Sequence, residues 1–144
     1  MRTALLGLFL LASSATAWEF TPNPVCTLFH DEPAVSVRIT FDPSKPEPYR
    51  IAVTRRGATW PLMPVFSIRF HGARPLTITT DRLSIEDDST TVSVSDTGFG
   101  NVLDGLEFNT GATAFMDGAE VPFALTGVAE AVEKFRRCPD VPGV

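Results

Sequence analysis

The sequence predicts a mainly β fold: an antiparallel β-sandwich or partly open barrel, carrying a short helix near 100–107 and a C-terminal helix packed on the sheet. Three observations lead there. Apolar and polar residues alternate in several short runs. Turn-forming residues separate those runs at short intervals. Only two later segments exchange the period of two for a helical spacing.

The chain begins with a leader. Arg2 gives a positive head, Thr3 to Ala12 an apolar stretch, and Ala15-Thr16-Ala17 a small-x-small cleavage site. This pattern predicts a secretory signal peptide over 1–17, with cleavage before Trp18. The apolar run is too short for a stable membrane anchor. Residues 18–144 are then expected to form one β-rich domain, periplasmic or secreted.

Alternation begins in Ala34 to Phe41, with Val35, Val37, Ile39 and Phe41 on one face. It returns in Tyr49 to Thr54 through Tyr49, Ile51 and Val53. Between them Pro43, Pro46 and Pro48 remove backbone donors, so that stretch reads as an exposed connection. Val65 to Phe70 is a third strand, and His71 to Pro75 turns the chain. Leu76, Ile78 and Thr80 start a fourth. Leu83 and Ile85 lead through Glu86-Asp87-Asp88-Ser89 into Thr91 to Ser95.

Phe99, Val102, Leu103 and Leu106 then fall at i, i+3, i+4 and i+7, one stripe of a short helix with Asn101 as a candidate N-cap. Gly98 and Gly100 are expected to supply backbone freedom at the corner before it. Ala112 to Met116 and Val121 to Leu125 suggest a hairpin across Asp117-Gly118. Val128, Ala131, Val132 and Phe135 repeat the helical spacing. Glu130 and Glu133 lie early in this segment and Lys134, Arg136 and Arg137 late, as the helix dipole favours. Pro139 ends it.

Cys26 and Cys138 are the two cysteines. In an oxidising compartment an even pair predicts a disulfide, here one that closes nearly the whole domain. Chain-entropy reasoning assigns such a loop about 4–5 kcal/mol as an upper expectation. The formal net charge is −5, and loss of Arg2 with the leader makes it one unit more negative. An acidic chain repels phosphate backbones, so nucleic acid is not an expected partner. No second long apolar segment exists, so the mature chain should have no transmembrane span.

Catalytic motifs are sparse. The two histidines, His30 and His71, do not supply a zinc ligand set, and neither a metal nor another cofactor is expected. Gly-x-Ser-x-Gly and the P-loop are absent. Asp104 and Glu107 lie three apart on the polar side of the first helix, flanked by Asn101 and Asn109. Two carboxylates can serve as general acid and base if one is desolvated, although a solvated helix face has the same pattern. Trp60-Pro61-Leu62-Met63-Pro64 cannot easily join a sheet. It either closes the core or presents a contact patch.

The segments Thr79 to Arg82 and Thr91 to Asn109, with the Trp18-Glu19-Phe20-Thr21-Pro22 start and the Phe135-Arg136-Arg137-Cys138 end, resemble an uncharacterised family of small exported proteins of Gram-negative bacteria. Some sequences of that kind carry an excinuclease-subunit label. The missing P-loop, the acidic charge and the leader argue against that label here. Phe123 to Ala131 is also similar to invasion-associated locus B proteins, exported β-sandwiches with a strand, a turn and an Ala-rich helix at this point. The chain lacks the extra cysteines often seen in that family. These resemblances imply a sandwich and a cell-envelope role, and they transfer no functional residue.

The expected function is therefore a periplasmic, non-enzymatic binding or interaction protein, whose partner is an envelope protein or a small ligand. Its contacts are expected at Asp96, Asn101, Asp104, Glu107 and Asn109, with Trp60 beside them, because polar groups around a glycine corner make a recognition loop on a rigid scaffold. No catalytic residue is assigned. The alternatives are a small cell-wall or glycan hydrolase using Asp104 and Glu107, and a structural envelope component.

Overall fold

A computed structural model describes residues 17–140. The predicted leader, apart from Ala17, lies outside the described residues. Among the described residues, ten strands form two antiparallel sheets. In chain order, β1 is Glu19–Thr21, β2 Cys26–Glu32, β3 Val35–Phe41, β4 Tyr49–Arg55 and β5 Phe66–Gly72. Then come β6 Leu76–Thr80, β7 Ser84–Glu86, β8 Thr91–Asp96, β9 Asn109–Met116 and β10 Ala119–Ala124. Helix α1 (Gly100–Glu107) separates β8 from β9, and α2 (Val128–Arg137) follows β10. One sheet runs β1-β2-β3-β4-β8-β7 and the other β10-β9-β5-β6.

The alternation read from the sequence sorts the faces. Val35, Val37, Ile39, Ile51, Val53 and Val92 are buried from the first sheet; Phe66, Ile68 and Phe70 come from the second. All belong to one apolar cluster, which both helices extend. Burying a side chain of this size contributes roughly 1.5–3 kcal/mol, so the cluster is the main stabilising term.

The predicted Pro-rich connection between β3 and β4 holds its shape through Asp42. Its carboxylate accepts hydrogen bonds from the Ser44 hydroxyl (2.6 Å) and the Ser44 N–H (3.0 Å). These bonds hold the Asp42 carboxyl below its usual range. After β7, Asp87, Asp88 and Ser89 all take positive φ, in the tight turn that their side chains favour.

Helix α2 follows the apolar stripe read from the sequence and buries Val128, Ala131, Val132 and Phe135. Gly127 precedes it at φ 73, a left-handed conformation that favours glycine. The helix packs against β1 and β2. The predicted Cys26–Cys138 disulfide ties its end to the start of β2, with the Cα atoms 6.3 Å apart.

Two local expectations need correction. Asn101 is not the N-cap of α1: Phe99 holds that position, and no side chain caps the helix. Gly98 and Gly100 do not adopt left-handed backbone. A Cβ at either would meet no atom within 4 Å, so these glycines leave open space rather than relieve strain.

Candidate functional site

The two sheets do not close on each other along β6. A cleft of about 480 Å³ remains between β4 and β8 on one side and β5 and β6 on the other, a size within the usual range for small-molecule sites. Ile51, Phe66 and Ile68 form its buried floor. Ile78 and Val94 are half-buried at its lip. They line it because residues at alternate strand positions face the other sheet. The 96–102 corner, where β8 turns into α1, borders the opening.

Two of the predicted contact residues, Asp96 and Asn101, line this cleft. Asp96 ends β8. One of its oxygens, Oδ1, accepts the Thr97 N–H at 2.7 Å and lies 3.6 Å from the Arg82 guanidinium. Arg82 approaches Glu47 more closely, at 3.1 Å. Among the described residues, Asp96 Oδ2 accepts no hydrogen bond. Asn101 is exposed in the first turn of α1.

The other predicted residues lie elsewhere. Asp104 and Glu107 share one cation: Arg136 of α2 donates to Asp104 at 2.7 Å and to Glu107 at 3.1 Å. The three side chains bridge the helices, and neither carboxylate lines the cleft. Asn109 is buried. Its Nδ2 donates to the carbonyls of Arg74 (2.8 Å) and Gly105 (2.9 Å), and its Oδ1 accepts the Arg74 N–H (3.1 Å). It therefore fixes the junction of α1, β9 and the turn after β5.

Trp60 closes the core. It is 2 % exposed and donates through Nε1 to the Val53 carbonyl at 3.2 Å. Its ring stands edge-on to Phe66 at 5.7 Å between centroids, so it braces the cleft floor from behind. Leu62, Met63 and Pro64 of this loop are exposed.

The lip residues Ile78 and Val94 and the floor residue Phe66 escaped the sequence reading as site residues. Their only sequence signal is strand alternation, which a closed core would also produce.

His30, one of the two histidines, is buried. It stacks on Trp18 with centroids 4.9 Å apart and ring planes 7° from parallel, and its Nε2 meets Glu32 Oε2 at 2.6 Å. The same Glu32 oxygen accepts the Ala124 N–H, while Trp18 donates to the Ala124 carbonyl. This set locks the end of β10 to β2. Among the described residues no group of three or more His, Cys, Asp or Glu could hold a metal ion. None of the described helices is long and apolar enough to cross a membrane.

Comparison with protein-family models, curated proteins and solved structures gives no match.

Proposed function

We propose that this chain is an exported, non-enzymatic binding protein that takes a small, largely apolar ligand into the cleft between its sheets. The observation that carries the proposal is the cleft itself: an apolar floor, half-buried lips and an opening bordered by Asp96 and Asn101. A buried apolar floor with a few polar groups at its mouth is the common form of a small-molecule site. The leader read from residues 1–17 and the Cys26–Cys138 bond together favour the periplasm or the exterior, where disulfides persist. Asp104 and Glu107 lie outside the cleft on a shared arginine, an arrangement that supports helix bridging over glycan hydrolysis.

The test uses N-phenylnaphthylamine, which fluoresces in apolar surroundings. The folded, disulfide-bonded protein should raise its emission saturably. Val94→Trp places a larger side chain at the lip and should weaken that binding about tenfold or more, with the circular dichroism spectrum unchanged. Equal binding by a folded Val94→Trp protein would remove the cleft as the site.

A further inference from the structure

We infer that the cleft selects a single-chain amphiphile with a cationic head: an alkyl chain inside and an ammonium group at Asp96. The inference rests on the cleft being the binding site, and it goes further by assigning the ligand's charge.

The floor of the cleft favours an apolar group. Ile51, Phe66 and Ile68 offer no hydrogen bond from their side chains. At the β6 wall, Thr79 Oγ1 pairs with Ser67 Oγ at 2.9 Å, and Thr80 Oγ1 accepts the Arg82 N–H at 3.0 Å. A polar group placed against this floor would lose its water without finding a side-chain partner there. An alkyl chain loses nothing of that kind and gains from burial.

The rim sets the sign of the head. Asp96 is the one charged side chain lining the cleft among the described residues. Its side chain is 46 % exposed, so a head group can reach it from solvent, and its Oδ2 accepts no hydrogen bond among the described residues. Arg82 does not cancel it, because Arg82 is divided between Asp96 and Glu47 and the three groups together keep one net negative charge. The first turn of α1 also faces the opening, and a helix N-terminus carries roughly half a positive charge. A full carboxylate charge outweighs it. An alkyl carboxylate would meet repulsion where an alkylammonium meets a free acceptor. Gly98 and Gly100 keep the approach open, since a Cβ at either position would stand in empty space.

The experiment displaces N-phenylnaphthylamine from the intact disulfide-bonded protein with decylamine, decanol and decanoate, each below its micelle concentration. Decylamine should compete at about fivefold lower concentration than decanoate, the scale of one partly exposed ion pair. Asp96→Asn should reduce that preference to less than about twofold and leave decanol unchanged. Arg82→Gln, which removes the competing cation and keeps Asp96, should enlarge it. Decanoate binding as well as decylamine, or a preference that survives Asp96→Asn, would overturn the charge assignment while leaving the cleft as the site. If the fluorophore fails to bind and none of the three amphiphiles binds in direct calorimetric titration, the cleft reading and this inference fall together.

Discussion

At the residue scale, Gly105 shows how a local rule yields to packing. Glycine inside a helix costs about 1 kcal/mol relative to alanine, so propensity alone favours Gly105→Ala. The structure opposes it. A Cβ at Gly105 would lie 2.5 Å from the Phe70 ring, and Phe70 is fully buried with little room to retreat. Gly105 is therefore the point at which α1 approaches β5 closely enough to seal the core. Gly105→Ala should destabilise the protein by about 1–3 kcal/mol, the usual cost of overpacking. Urea unfolding would check this as a lower midpoint at an unchanged slope. A raised midpoint would mean that α1 can lift away from Phe70. Some roles at this scale were hidden from the sequence. Trp60 could have been exposed or buried until the Val53 carbonyl was found in reach of its indole N–H. The polarity of Asn109 suggested a contact surface, yet its amide is spent on backbone groups of Arg74 and Gly105.

At the element scale, strands with clean alternation were legible because their period of two places every second residue on the core. Strands β3, β4, β5 and β8 fall in this group, and the stripe of α2 was equally clear. β1 was not legible, because three residues carry no period. β2 was obscured because His30 occupies an inward position and takes its partners from Trp18 and Glu32. Asn109-Thr110-Gly111, just after α1, begins β9, three residues before the Ala112 start that alternation suggests. Asp104 and Glu107 read as a carboxylate pair, since Arg136 lies 29 or more residues away in the chain and joins them only through the packing of α1 on α2. That triad is partly exposed, and such bridges contribute little. Arg136→Ala should therefore lower stability by only about 1 kcal/mol, measured by urea unfolding, and leave N-phenylnaphthylamine binding unchanged. A loss of binding in the folded variant would draw α1 and its carboxylates into the site.

At the scale of the whole molecule, two features define the account. The Cys26–Cys138 bond spans 112 residues and joins the start of β2 to the end of α2. The sequence already implied this closure from the leader and the even cysteine count. The cleft was not legible. It exists because the chain leaves the second sheet at β6 and crosses to β7, so β6 remains an edge facing β4 and β8 without full closure. Strand order is a long-range property, and alternating residues look alike whether they meet another sheet or a ligand. Asp96 and Asn101 stand out in the sequence only as polar groups around a glycine corner, and their setting beside an apolar cavity came from the fold. The central claim is that ligand enters between the sheets at this edge. Amide chemical-shift mapping of the disulfide-bonded protein during titration with N-phenylnaphthylamine tests it most directly. The largest shifts are expected in β6, the second half of β8 and residues 98–102, with β1, β10 and α2 left still. Shifts centred on the Leu62–Val65 loop or on the α1–α2 face, with β6 and β8 unmoved, would contradict it.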